Sequence, residues 1–177
     1  IDVRYNFWGD VSTFDPYYDL YPHGDYSVSP MFKLEDDEEE KGSDELAFFS
    51  AENEFEQGNY SIAKTGYEQI IEQYPQSKFA GESIKQLFAV EKFSSNNYTS
   101  LRDYYRSNNI ILHYPHLTKL GDFFANKCDI KLENWQAAIA WFENKIQNPD
   151  SYADSLYAII DLSNTYLLMQ QSGYKTS

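Results

Sequence analysis

The side chains in this sequence that most readily bind metals are three histidines, His23, His113 and His116. Two of them form the segment His113-Tyr-Pro-His116. A metal pair at this spacing needs one continuous helix that holds both rings on one face. Pro115 breaks a helix at this point, and no carboxylate or cysteine lies within a few residues on either side. We therefore interpret the segment as a turn between helices and expect no metal site here.

The sequence contains one cysteine, Cys128, so an intramolecular disulfide is excluded. Its neighbours in the chain are apolar, and they include Phe123, Phe124, Ala125 and Ile130. A thiol in such surroundings packs as a small apolar group and is a poor nucleophile. We therefore expect Cys128 to be buried and inert.

Acidic side chains are the remaining groups that could bind a cation. The net charge is −14, and residues 1–46 carry 13 of the 28 acids. The run Glu35–Glu40 is predicted to be a solvated linker because adjacent like charges repel. Four spaced acids are calcium candidates, although their spacing matches no defined loop: Asp10, Asp15, Asp19 and Asp25. A negative surface repels phosphate, which disfavours nucleic acid and anionic membrane as partners.

Residue patterns of common catalytic sites are missing from the sequence. There is no Gly-x-Ser-x-Gly segment and no clear Ser/His/Asp order, and the 8 glycines are scattered instead of forming a phosphate-binding loop. No apolar run reaches the length of a membrane span. We expect a protein that is not an enzyme, binds no cofactor and does not insert into a membrane.

Composition divides the chain into three zones. Residues 1–33 are rich in Tyr, Asp, Pro and Gly, and we predict an irregular or β segment because their prolines exclude a long helix. Residues 34–43 form the acidic linker. Residues 44–177 have the periodicity of helices, with Ser43 and Ser77 as expected N-caps. The sequence thus predicts a mainly α domain that follows two short segments.

One pattern recurs three times in residues 44–150, and it starts the second helix of each predicted hairpin. An Asn-aromatic pair turns the chain and begins the second helix. The residue three positions later lets the first helix approach closely, and a second aromatic further along covers the contact between the two helices. A hairpin of this kind cannot bury both faces, so the units must stack. Residues 151–171 look like the first helix of a fourth unit, with Gly173 at its end. The three sets are Asn59-Tyr60, Ala63, Tyr67, Ile70 and Pro75; Asn97-Tyr98, Leu101, Tyr105, Ile110 and Pro115; Asn134-Trp135, Ala138, Phe142, Ile146 and Pro149.

Unit one resembles the tetratricopeptide repeat. This resemblance implies a superhelix of stacked antiparallel helix pairs. The later units depart from the pattern, since Leu101 replaces the small residue and both hairpins lack the glycine. Their spacing also exceeds the usual repeat of about 34 residues. The positions that carry the resemblance are Ala51, Phe55, Gly58, Tyr60, Ala63, Tyr67, Pro75, Ser77 and Ala80.

The N-terminal zone resembles the last coil of a right-handed parallel β-helix protein. The likeness rests on the strand Val3–Tyr5, the segment Asn6–Gly9 and the closure Gly24–Phe32. Such a coil hydrogen-bonds to the coils beside it, so one coil is not a self-standing domain. The resemblance implies a β-helix body upstream, and the alternative is an irregular arm packed against the first helix pair.

In the tetratricopeptide family the first helix of each pair lines a concave face that binds peptides or proteins. The resemblance implies a non-catalytic interaction or scaffolding module with a protein or peptide partner. In unit one this face is acidic with one aromatic, which suits a basic or amphipathic partner. Carried over by position, the face consists of Glu45, Phe48, Glu52 and Glu56 in unit one, Gln86 and Val90 in unit two, and Phe123 and Lys127 in unit three.

The sequence leaves several alternatives for the larger protein and for its location. The Tyr74–Ser77 ending resembles variants common in bacterial envelope proteins. From the repeat together with the β-helix-like start, we expect part of a larger secreted or cell-envelope bacterial protein that is extracellular, periplasmic or on the cell surface. A cytoplasmic location stays open, because the lack of disulfides fits it as well. One alternative is the non-catalytic tail of a polysaccharide-active β-helix enzyme. Another is a structural unit that self-associates through the terminal helix at 151–171.

Overall fold

The computed structural model describes residues 42–174, all of which belong to one compact unit that begins at Gly42. The predictions for residues 1–33 and for most of the linker at 34–43 lie outside the described residues. Within that range the chain is mainly α, has no strand, and packs its helices in adjacent pairs, which confirms the predicted mainly α class. The helices are α1 (Ser43–Glu56), α2 (Tyr60–Gln73), α3 (Lys78–Phe93), α4 (Tyr98–Ser107), α5 (Asn109–His113), α6 (Pro115–Lys131), α7 (Trp135–Gln147) and α8 (Tyr152–Gln171).

The three hairpin turns have nearly the same backbone geometry. In each, an asparagine precedes the second helix, with φ and ψ of −80° and 56° at Asn59, −80° and 61° at Asn97, and −76° and 57° at Asn134. The residue before each asparagine has a left-handed backbone, with φ of 79° at Gly58, 53° at Asn96 and 59° at Glu133. The predicted equivalence of the three turns is therefore present in the backbone.

The matched side chains of the second helices also have matched environments. The position three residues after the aromatic is fully buried in every unit, and so is the aromatic at the next turns. Tyr60 and Tyr98 pack back across their hairpins, with ring centroids 5.5 Å from Phe55 and 5.4 Å from Phe88. The buried sets are Ala63 and Tyr67, Leu101 and Tyr105, and Ala138 and Phe142.

Stacking follows a regular order along the chain. Each second helix packs on the next first helix: α2 on α3, α4 on α6 and α7 on α8. Neighbouring first helices also meet, α1 with α3 and α3 with α6. Each inner helix therefore has neighbours on several sides, and the core runs continuously from Phe48 to Cys128.

Unit two differs from its prediction as one long second helix. The helix ends at Ser107 and a short helix, α5, begins after Asn108. The Asn108 side chain accepts hydrogen bonds from the backbone N–H groups of Ile110 and Ile111, at 2.9 and 3.1 Å. A side chain that caps a new helix competes with continuation of the old one. Asn108 therefore explains the break.

The two predicted N-caps have different outcomes. Ser77 caps α3 as expected, because its Oγ accepts a hydrogen bond from the backbone N–H of Phe79 at 3.1 Å. The prediction for Ser43 is wrong, since Gly42 is the N-cap of α1 and Ser43 is the first helical residue. Asp44 in the first turn of α1 accepts a hydrogen bond from Ser77 instead. The start of α1 is therefore tied to the start of α3.

We call the contacts of α2 with α3 and of α4 with α6 the inner junctions, and the contact of α7 with α8 the outer junction. Each inner junction contains one buried acid. Glu91 of α3 accepts from Lys64 Nζ of α2 at 2.7 Å and from the backbone N–H of Asn97 at 3.0 Å. Asp129 of α6 accepts from Arg102 and Arg106 of α4, at 3.2 and 2.6 Å.

These two pairs occupy the same place in the repeat. Lys64 and Arg102 each lie four residues after the first aromatic of their second helix, and the acids they meet are almost fully buried. The equivalent residue of α7 is Ile139. The outer junction between α7 and α8 therefore lacks the basic residue on which this arrangement depends.

Candidate binding surface

The acids predicted on the first-helix face of unit one lie along one side of α1. Glu45 and Glu52 are half-buried and Glu56 is exposed. Burial raises the pKa of Glu52 above its ordinary value, and the Glu56 carboxylate raises it further. A carboxylate in this setting is stabilised by a cation brought close to it. This side of α1 is therefore suited to a basic group.

Two predicted members of that face are core residues. Phe48 is 7% exposed and its ring lies 5.8 Å from that of Tyr67 and 5.1 Å from that of Phe79. Val90 is 1% exposed, because α3 has neighbours on both sides in the stack. Neither side chain offers surface to a partner. Their assignment to an open face is corrected to a packing role.

The predicted residues of unit three lie together on α6. Lys127 Nζ lies 4.9 Å from the Phe123 ring centroid and donates a hydrogen bond to Asp161 of α8 at 3.0 Å. Phe123 and Lys127 are half-buried, as is the third predicted residue, Gln86 of α3. Lys127 thus already has an acidic partner within the chain. A binding role for these three residues stays a prediction.

The segment from His113 to His116 is a turn between helices, as predicted. His113 ends α5 and Pro115 is the first residue of α6. His116 Nε2 lies 3.0 Å from the backbone oxygen of Pro75, which ties this turn to the end of unit one. Across residues 42–174 no group of three or more His, Cys, Asp or Glu is placed to hold a metal ion.

Cys128 is fully buried in α6, as expected. Burial raises its pKa to about 12, and the nearby Asp129 carboxylate contributes. The thiolate needed for nucleophilic attack is therefore scarce at neutral pH.

The most exposed apolar surface of the described chain belongs to α8. Only Ala158 and Thr165 of this helix are buried, on the side that packs on α7. The helix is apolar on nearly all sides, which is typical of a helix that is covered all round. Within the described residues α8 has a single main neighbour. Its exposed large apolar side chains are Tyr152, Leu156, Tyr157, Ile159, Ile160, Tyr166, Leu167 and Leu168.

One line of side chains runs along α8 opposite its contact with α7. At 100° per residue, the centre of this line lies about 180° from Ala158 and Thr165. Leu156, Ile160 and Leu167 are 43%, 45% and 56% exposed, so they are open to solvent in the described unit. We refer to this line as the α8 stripe; it consists of Ala153, Leu156, Ile160, Ser163, Leu167 and Gln170.

Sequence reasoning noted an unpaired terminal helix but did not identify this stripe. The signal was present, because its six members are spaced by three and four residues in alternation. The helix also ends like the earlier first helices, since Gly173 has a φ of 76°, close to the 79° of Gly58. In the earlier hairpins a second helix follows this turn. Among the described residues, α8 has no such helix after it.

No family model, no curated protein and no solved structure matches the chain. Of the helices between residues 42 and 174, none is both long and apolar enough to cross a membrane.

Proposed function

We propose that this chain is a non-catalytic helical-repeat module of the tetratricopeptide type that binds a protein or peptide partner. The three matched hairpin turns and the matched buried positions of the second helices support the repeat. The observation that carries the binding role is the α8 stripe, whose Leu156, Ile160 and Leu167 side chains are open to solvent, whereas the inner first helices α3 and α6 have neighbours on several sides. Contiguous apolar surface of this kind commonly marks a protein interface.

The acidic side of α1 is a second candidate contact. Glu45, Glu52 and Glu56 suit a basic or amphipathic segment. Burial and then the Glu56 carboxylate raise the pKa of Glu52, so a cation bound there would stabilise its charged form. The proposed place in a secreted or cell-envelope protein, and the alternative of a β-helix enzyme tail, rest on residues 1–33 and on the Tyr74–Ser77 ending.

Affinity capture with matched variants tests the binding role. Three full-length chains are immobilised and exposed to an extract of the cells that make the protein: the wild type and two double variants. Leu156→Glu/Ile160→Glu disrupts the stripe, and Tyr157→Glu/Leu168→Glu makes the same charge change on α8 outside the stripe. We expect the wild type and the second variant to retain the same proteins and the first variant to lose them. Retention of one set of proteins by all three chains would overturn the stripe as the binding surface. Retention of no protein by any of them, from an extract that also contains this chain, would overturn the binding role.

A further inference from the structure

We propose that the α8 stripe binds a second copy of this chain, with the two α8 helices antiparallel across a two-fold axis between Asp161 and Leu162. This inference deepens the proposed function, because it names the partner of the same surface. It rests on three features of α8: the apolar area, the placement of charge and the spacing of large and small residues.

The apolar area on the stripe side of α8 supplies more than half of one side of a stable dimer. Five exposed large apolar side chains lie within about 70° of the centre of the stripe: Tyr152, Leu156, Ile159, Ile160 and Leu167. Each presents on the order of 200 Å² when free and keeps about half of that here, so together they display roughly 500 Å². A typical monomer has a largest apolar patch of about 300–600 Å², and a specific interface buries about 800 Å² on each partner. This side of α8 therefore lies in the upper part of the range that a monomer leaves open, and the small and polar side chains of the stripe add to the area that a second copy would bury.

Charge placement favours a second copy of this acidic chain. The net charge of −14 makes two copies repel in general. The α8 stripe carries no charge, and the only charged residues of α8 are Asp154 and Asp161. Asp161 lies away from the stripe and is held by Lys127, and Asp154 accepts a hydrogen bond from Ser151. The α8 stripe is thus a face where two copies can meet without opposed carboxylates.

The spacing of the stripe is self-complementary in an antiparallel pair. Around the proposed axis Leu156 faces Leu167 of the other copy, and Ile160 faces Ser163. The large Ile160 side chain therefore meets a small one, as a knob meets a hole. Ser163 Oγ already donates to the backbone oxygen of Ile159 at 2.9 Å, so burying it leaves no unpaired donor. A two-fold interface of this kind is closed and stops at a dimer.

Sedimentation velocity of the full chain over a range of concentrations tests the proposal. We expect the wild type to sediment as a dimer at tens of micromolar and to dissociate on dilution. Leu156→Glu/Ile160→Glu should weaken association by about 100-fold or more, because it places unpaired carboxylates in the buried stripe. Tyr157→Glu/Leu168→Glu should leave the dimer intact. Circular dichroism checks that each variant keeps its helix content.

Two further outcomes separate the alternatives. If Ile62→Glu at the opposite end of the stack disrupts association, the contact is head-to-tail and the proposal is wrong. A wild type that stays monomeric at hundreds of micromolar also overturns it. In that second case capture of other proteins that still depends on Leu156 and Ile160 would leave the proposed function standing, so the two failures are distinguishable.

Crosslinking tests the antiparallel register directly. Chains with Leu156→Cys are mixed with chains with Leu167→Cys and treated with a short bismaleimide. We expect crosslinks between the two variants and almost none within either, because residues 156 of the two copies lie about 16 Å apart along an antiparallel pair. The native Cys128 is buried and does not compete. Efficient crosslinking of Leu156→Cys to itself would contradict the register.

Discussion

The inner and outer junctions of this stack are built differently. At the inner junctions α3 and α6 each bring one buried acid, Glu91 or Asp129, to a basic residue of the preceding second helix. At the outer junction the equivalent position is Ile139, and the ion pair that is present, Lys127 to Asp161, is only half-buried. Between residues 42 and 174 the inner first helices are covered on several sides, whereas α8 packs mainly on α7. Buried ion pairs are therefore found between helices that are covered on several sides, whereas exposed apolar side chains are found on the last helix of the described residues.

Removing the buried acid of an inner junction should have the largest effect. Asp129→Ala leaves Arg102 and Arg106 without their shared partner and removes the hydrogen bond from Asn134 Nδ2. We expect the free energy of unfolding to fall by about 3 kcal/mol, the lower part of the range for breaking a buried pair, because Arg106 is partly exposed. Urea denaturation measures the change.

Asp161→Ala at the outer junction is the matched control. Its pair with Lys127 is half-exposed, so we expect a loss below about 1 kcal/mol. Equal losses for the two variants would remove the distinction between inner and outer junctions.

Glu91 links the first inner junction to pH. Burial alone would raise its pKa, but hydrogen bonds from Lys64 and Ser95 outweigh this and hold the pKa below its ordinary value of 4.5. A lowered pKa in the folded chain stabilises it above pH 4.5, and that stability is lost as pH falls through the folded value. Glu91→Gln should cost about 2 kcal/mol at pH 7, since bonds to a charged group are lost.

The difference between the wild type and Glu91→Gln should shrink as pH falls from 5 towards 3. Thermal unfolding at several pH values measures it. A difference that is constant over this range, or that grows on acidification, would show that the Glu91 carboxylate is not stabilised in its charged form.

The hairpin turns should give the smallest effect. Glu133 has the left-handed backbone that Gly58 has in unit one, although a side chain makes this backbone unfavourable. Glu133→Gly should therefore stabilise the chain by about 1 kcal/mol, whereas Gly58→Ala should destabilise it by a similar amount. Thermal denaturation compares the two. Destabilisation by Glu133→Gly, or stabilisation by Gly58→Ala, would contradict the equivalence of the turns.

The sequence was sufficient to predict the helix pairs. An Asn-aromatic pair marks each turn, and the residues three and seven positions after that aromatic mark the buried side of each second helix. It was not sufficient where distant groups decide. The burial of Phe48 and Val90 depends on which neighbours cover α1 and α3, and the pair of Lys64 and Glu91 spans 27 residues. The break at Asn108 depends on whether one side chain caps a new helix, a choice that hydrophobic spacing does not reveal.

Thiol labelling of the stripe tests the central claim, an open outer face beside closed inner junctions, most directly. An Ile160→Cys chain also contains the buried Cys128 and is labelled at submicromolar concentration, where we expect it to be monomeric. The account predicts fast reaction of one thiol per chain, with the wild type remaining almost unlabelled. Protection of the thiol at position 160 comparable to that of Cys128 would mean that other residues of the chain cover α8, and it would contradict the account.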